Sequence, residues 1–312
     1  MVDEPMQVIL AQPRGFCAGV VRAIKIVEQA LKIYGTPIYV LHEIVHNRHV
    51  VENLKNQGAL FIEALNDVPA GAVTIFSAHG VSTAVVENAR KRNLKIIDAT
   101  CPLVTKVHLQ AQQYSRQGFE IIIIGHPGHP EVEGTRGRIE GPVHVLSSSG
   151  EVAVLEVENP GRLAYVTQTT LSIDDTREMI NALKKRFPAI RGPELSDICY
   201  ATQSRQNAVH RLANNIDLLL VVGAHNSSNS NRLREVGEQS GLSAHLIENP
   251  DDLDRSWFSE KTRVGITAGT SAPEAMVRKV LRRLRTYGAR RVTEMEGERE
   301  TMQFRLPESL SP

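Results

Sequence analysis

The sequence predicts an α/β protein built from three small, pseudo-symmetric units with mainly parallel sheets. Three observations predict it. Short apolar runs alternate with stretches of helical periodicity along nearly the whole chain, a pattern of parallel strands joined by right-handed crossovers. The three cysteines, Cys17, Cys101 and Cys199, stand 84 and 98 positions apart, so three segments of similar length each carry one. Behind each cysteine come a helical stretch and then two polar loops at strand ends.

In the first segment Val8 to Ala11 is a short strand, and Val20, Val21, Ile24, Val27, Ala30 and Leu31 recur at helical spacing after Cys17. Pro37 to Leu41 is strand-like in its β-branched and aromatic content. His46 and Asn47 follow, then a helical stripe of Val50, Val51 and Leu54 closed by Gly58. Val73 to Phe76 is the next strand, ending at His79-Gly80 before a helix from Ser82 to Lys91. The second segment opens on Leu94 to Ile97 and Cys101, with Pro102 suited to the first turn of a helix reaching about Gly118. Ile121 to Ile124 has the character of a buried strand and runs into a Gly- and Pro-rich loop containing His129 and Glu131. Leu163 to Val166 ends at Gln168-Thr169-Thr170, ahead of a helix from about Asp174 to Phe187. In the third segment Cys199 begins a helix through Arg211. Leu218 to Val222 then delivers Asn226 to Asn231, and Arg263 to Thr267 delivers Gly269 to Pro273. No strand precedes Cys199, so the amino-terminal strand, over 7–12, is expected to complete this unit. The expected units are 14–97, 98–196 and 197–286. A carboxyl-terminal tail over 287–312 follows, with Met302 to Leu306 expected as an edge strand.

A net charge of +1 on 312 residues, 23% of them charged, argues against a nucleic-acid binder and against a disordered chain. The acidic start Met1 to Pro5 lacks an apolar signal core, and no apolar run approaches the roughly 18 residues of a membrane span. The reading is a cytoplasmic protein with neither membrane nor nucleic-acid partner. An odd number of cysteines in such a chain argues for metal or redox chemistry rather than a disulfide framework.

Free cysteines often serve only as small core residues. Here all three lie in loops bounded by Gly, Pro or Asp, outside the apolar stripes. No Cys-x-x-Cys pair of a structural zinc site is present. Three thiolates on three segments suit an iron–sulfur cluster held through three irons, with a fourth iron open as a redox-active Lewis acid. The three units would then surround that cluster. His42-Glu43-Ile44-Val45-His46 matches H-E-x-x-H, but a zinc peptidase needs the motif inside a helix, and a strand-like run enters at His42. His46 is therefore read as a strand-end ligand binder, with His42 and Glu43 unassigned.

His46, His79 and His129 each follow a strand at or near a helix start, and Ser227, Ser228, Asn229 and Ser271 hold the corresponding places in the third segment. Singly, such residues are ordinary caps. Seven together, with helix amino termini, make an anion site for which phosphate is the natural ligand. Neither a Walker A loop nor G-x-G-x-x-G is present, so the anion is read as substrate rather than nucleotide. Glu131 is the best acid/base candidate if it faces this site, because a carboxyl buried beside an anion gives up protons near neutrality. Its plainer role is a first-turn carboxylate. Glu133 is the less favoured alternative, and Thr169 could relay or accept the proton. Arg278, Lys279, Arg282, Arg283 and Arg285 are either a solvated face or a docking patch for an acidic electron carrier.

With these residues laid out, the chain resembles the 4-hydroxy-3-methylbut-2-enyl diphosphate reductases, terminal enzymes of the methylerythritol phosphate route to isoprenoids. The resemblance runs nearly end to end through RGFCAGV, HEIVHNR, FSAHGVS, DATCPLV, GHPGHPEVEG, TQTTLS, DICYAT, NSSNSNRL and TAGTSAP. It implies a 4Fe–4S cluster on Cys17, Cys101 and Cys199, with three α/β units around it. It also implies a diphosphate site from His46, His79, His129, Ser227, Asn229 and Ser271, with Ser228 adjacent, and Glu131 as proton donor beside Thr169. The implied reaction is a two-electron reductive dehydroxylation giving isopentenyl and dimethylallyl diphosphate. No flavin or nicotinamide fingerprint is visible, so electrons are expected from a separate protein, by family a ferredoxin or flavodoxin. Two other readings stay open: a non-redox iron–sulfur lyase, which would turn over without reductant, and an iron–sulfur sensor, which would need no phosphate pocket.

Overall fold

The alternation of strand and helix runs through the computed structural model, which describes residues 6–193, 195, 197–259 and 262–310. In chain order the elements are β1 (Gln7–Leu10), α1 (Ala18–Tyr34), β2 (Ile38–Leu41), α2 (Arg48–Asn56), β3 (Ala59–Ile62), β4 (Val73–Phe76), α3 (Thr83–Lys91) and β5 (Lys95–Asp98). Then come α4 (Pro102–Arg116), β6 (Glu120–Ile124), α5 (Pro130–Arg136), β7 (Val143–Leu146), α6 (Ser149–Val154), β8 (Leu163–Thr167) and α7 (Ile173–Arg186). The last are α8 (Tyr200–Ala213), β9 (Leu218–Val222), α9 (Ser228–Gln239), β10 (Ser243–Ile247), β11 (Arg263–Ala268), α10 (Glu274–Thr286) and β12 (Arg291–Glu294).

The strands form three sheets, ordered β3-β2-β4-β5, β7-β6-β8 and β10-β9-β11-β1-β12, and the strand pairs in all three are parallel. One arrangement occurs three times. The strand after each cysteine helix is central, the next lies at its edge, and the third returns to the other side: β3-β2-β4, β7-β6-β8, β10-β9-β11. In this order the connections diverge between the first and third strands, and their carboxyl-end loops border a crevice where parallel sheets take ligands. A fourth chain segment beside the third strand leads to a cysteine in each case. It is β5 before Cys101, a parallel bridge of Arg191 to Ala164 before Cys199, and β1 before Cys17.

The chain divides into two compact units. The first comprises Met1–Cys17, His46–Arg48 and Tyr200–Met302, and holds the five-stranded sheet. Alternation along a strand sends Leu218, Leu220 and Val222 of β9 toward Val277, Val280 and Leu284 of α10. Leu219 and Val221 face the other way, toward Val209 and Leu212 of α8 and Leu233 and Val236 of α9. A strand covered on both faces must be apolar throughout, which is why β9 reads as an unbroken run. Each such fully buried side chain contributes about 2 kcal/mol. The second unit comprises Ala18–Val45, His49–Cys199 and Gln303–Pro312, and holds the other two sheets. Its β6 repeats the device: Ile122 and Ile124 pack with Met179, Ile180 and Leu183 of α7, and Ile121 and Ile123 with Val107 and Ala111 of α4.

Several elements differ from the sequence expectation. The strands β3, β7 and β10 were not foreseen; each is a short edge strand of four or five residues paired on one side only. The strand read over Leu94 to Ile97 is β5, shifted by one residue, and it pairs with β4 in the first sheet. In the tail, Met302 to Leu306 is not a strand. The edge strand is β12, whose Val292 and Thr293 are β-branched and which pairs with β1. The Arg305 carbonyl instead accepts from Arg22 Nε at 2.8 Å. Among the described residues no helix is long and apolar enough to cross a membrane.

Candidate active site

The three cysteines have equivalent backbone settings. Each half-buried thiol residue immediately precedes the first residue of a helix, α1, α4 or α8. Each amide donates to the carbonyl two residues beyond a third strand: Cys101 to Ala78 at 3.0 Å, Cys199 to Thr169 at 3.1 Å, Cys17 to Thr270 at 3.3 Å. The positive end of a helix dipole favours an anionic ligand at that position. Gly15 makes the turn into Cys17 with φ of +69°, and a side chain there would crowd the Ala272 carbonyl. Among the described residues no three His, Cys, Asp or Glu side chains are grouped to hold a single metal ion. A thiol side chain at a helix start has the donor chemistry that an iron–sulfur cluster takes, one thiolate to one iron.

In the second unit the acid candidate is firmly held. Glu131 is 3% exposed in the first turn of α5. Thr169 donates to it twice, from its amide to Oε1 at 2.7 Å and from its hydroxyl to Oε2 at 2.9 Å. Burial pushes the Glu131 carboxyl up to about 7, the Thr169 hydrogen bonds opposing and the nearby Asp197 assisting. His129 caps α5, its Nδ1 accepting from the Glu131 amide at 3.2 Å. The rings of His79 and His129 meet edge to face with centroids 5.9 Å apart. Glu133 is exposed, with Oε1 accepting from the Gly128 amide at 3.2 Å, which makes it a loop brace.

The first unit carries the hydroxyl and amide donors. Ser227 caps α9, accepting from the Ser230 amide and, at 3.1 Å, from the Ser230 hydroxyl. Ser271 Oγ donates to the His46 carbonyl at 3.0 Å and lies 3.4 Å from Ser227 Oγ. Asn229 is 2% exposed, and its Oδ1 accepts from the Thr270 amide at 2.8 Å. Its buried Nδ2 has no hydrogen-bond acceptor among the described residues. A buried amide with an unspent donor costs about 1–3 kcal/mol, a debt that an anionic ligand removes. Ser228 is the half-buried first residue of α9.

Thus Cys17, His46, Ser227, Ser228, Asn229 and Ser271 lie in one unit, and Cys101, Cys199, His79, His129, Glu131 and Thr169 in the other. His42 has φ of 60° outside any helix, with Nδ1 3.0 Å from Glu63 Oε2, so the H-E-x-x-H string lacks the helix that a zinc peptidase requires. Two residues escaped sequence reasoning. Gln168 receives the His126 amide at 3.0 Å and donates to Thr170 Oγ1 at 2.9 Å, bracing the loop that positions Thr169. Asp197 is fully buried, takes the Thr167 amide at 3.3 Å and is pushed up to about 6 by burial. Its place two residues before Cys199 was the one available signal.

The family described as LytB protein matches residues 8–285. A 4-hydroxy-3-methylbut-2-enyl diphosphate reductase of Acidithiobacillus ferrooxidans is 56% identical over 306 residues, covering 98% of this chain and 97% of the relative. One of Pseudomonas fluorescens is 56% identical over 309 residues, covering 98% of each. Among solved structures, the E-1-hydroxy-2-methyl-but-2-enyl-4-diphosphate reductase of Plasmodium falciparum superposes with a TM-score of 0.92 at 38% identity, covering 98% of this chain and 97% of that one. On sequence and fold alike, the chain belongs to the LytB protein family.

Proposed function

We propose that the chain reduces 4-hydroxy-3-methylbut-2-enyl diphosphate to isopentenyl diphosphate and dimethylallyl diphosphate. The observation that carries this reading is Glu131, a buried carboxyl whose proton is retained to about pH 7 and whose orientation is set by two bonds from Thr169. The reaction breaks the allylic C–O bond and consumes two electrons and two protons, one leaving in water and one added at either end of the allyl group. A 4Fe–4S cluster on Cys17, Cys101 and Cys199 would supply an open Lewis-acidic iron and the path for the electrons.

The chain's own residues do the rest. Glu131 donates a proton, and Thr169 holds its carboxylate by two hydrogen bonds once that proton has gone. Asn229 Nδ2, the hydroxyls of Ser227 and Ser271, the start of α9 and the imidazoles of His46, His79 and His129 bind the diphosphate, with Ser228 beside them. Binding energy at the diphosphate, remote from the reacting carbon, orients the hydroxyl end. Anaerobic oxidation of a reduced viologen tests the reading. Cluster-loaded protein should oxidise it only when the allylic diphosphate is added, and substrate turnover without reductant, or no oxidation at all, would overturn the reductase.

Electrons would come in the cytoplasm from an acidic carrier, a ferredoxin or flavodoxin, docking on α10, whose Arg278, Lys279, Arg282, Arg283 and Arg285 are exposed. Charge reversal at Arg282 and Arg283 should slow reduction by such a carrier about tenfold or more at low salt, and not reduction by viologen. Equal rates with both donors would remove the docking role.

A further inference from the structure

Each helix that follows a cysteine places a cation five or six residues on, and that cation reaches the loop ahead of the next cysteine. Arg22, five residues past Cys17 on α1, donates from Nη1 to the carbonyls of Ala99 and Thr100 at 3.3 and 3.0 Å, the two residues before Cys101. Lys106, five past Cys101 on α4, holds Nζ 3.9 Å from Oδ1 of Asp197, two residues before Cys199. Arg205, six past Cys199 on α8, donates from Nε and Nη2 to the Gly15 carbonyl at 3.0 and 2.7 Å, and from Nη2 to the Phe16 carbonyl at 3.3 Å, the two residues before Cys17. The relation is cyclic: the helix of the first cysteine serves the second, that of the second the third, and that of the third the first.

We propose that Arg22, Lys106 and Arg205 are a set of positioning cations that fix the three cysteine loops and favour the reduced, more negative state of the cluster. The proposal rests on the cluster reading above. Its physical basis is twofold. A carbonyl engaged by a guanidinium is locked in direction, and a turn carrying a metal ligand is thereby held before the metal arrives. A buried or half-buried positive charge also stabilises added negative charge nearby. Arg205 is fully buried and is itself anchored by Glu300 Oε2 at 2.8 Å, whose other oxygen accepts from Tyr200 at 2.5 Å. Simple loop bracing would not require a cation at all three places.

The test uses full-length protein reconstituted anaerobically, with iron and sulfide measured first and the cluster midpoint then followed by spectroscopically monitored reductive titration. Arg22→Gln should leave about tenfold less reduced cluster at a fixed potential, a midpoint about 59 mV more negative for a one-electron couple. Arg22→Lys should restore most of that midpoint. Lys106→Gln should shift it in the same direction by less, because that side chain is half exposed. Arg205→Gln should lose its cluster faster in air. Should it fail to fold, Arg22→Gln, which removes the donor from the carbonyls of Ala99, Thr100 and Arg305 but buries no unpaired charge, carries the test. An unchanged midpoint in cluster-loaded Arg22→Gln overturns the proposal alone; wild-type protein that takes up no iron and sulfide overturns the cluster reading beneath it.

Discussion

Replacing Glu131 by Gln lowers turnover by about a hundredfold or more while fold and cluster content persist. Gln keeps the shape and can still accept from the Thr169 amide, so the loss isolates the proton. The pH profile gives a second reading. Because burial holds the carboxyl up to about 7, the wild-type rate should fall as pH rises through that value, and the variant should lack this limb. Stability moves with the same proton. The native state keeps it between the ordinary 4.5 and about 7, where the unfolded chain has lost it, so stability is fully present below 4.5 and declines through that window. The decline is about 3 kcal/mol at most. Urea unfolding of wild type and variant at both ends of the window measures it. A stability difference that stays constant with pH, or unchanged turnover, would show that Glu131 is not the acid.

Asn229→Asp should weaken binding of inorganic diphosphate on the order of a hundredfold, because like charges facing each other cost several kcal/mol. The substitution preserves the acceptor for the Thr270 amide and changes only the buried donor, Nδ2, into an oxygen. Affinity should recover as pH falls and the new carboxyl takes a proton. Calorimetric titration at two pH values decides it: equal affinities for wild type and variant near neutrality would place the diphosphate elsewhere.

Much of this was legible along the chain because parallel α/β architecture writes itself locally. Central strands such as Ile121 to Ile124 and Leu218 to Leu220 are apolar on both faces, and Ser82, Ser172 and Ser227 cap helices through bonds only three residues long. The loop positions of the cysteines and of His46, His79 and His129 follow from the same alternation. Edge strands were not legible, because β3, β7 and β10 take their identity from a neighbour distant in sequence.

The succession of strands, helices and polar loops is written locally in the chain, as are the residue types that reach the carboxyl ends of the strands. The electrical character of those residues comes from tertiary contacts. Glu131 and Glu133 are two residues apart in one short helix, yet one is buried with a proton held to about pH 7 and the other is an exposed loop brace. Burial separates them, and Thr169, whose hydrogen bonds orient the buried carboxyl, is 38 residues from Glu131. Arg205 and the Gly15 carbonyl it holds are 190 apart. Burial and long-range hydrogen bonds set a group's charge state, and neither is a property of the residues beside it in the chain.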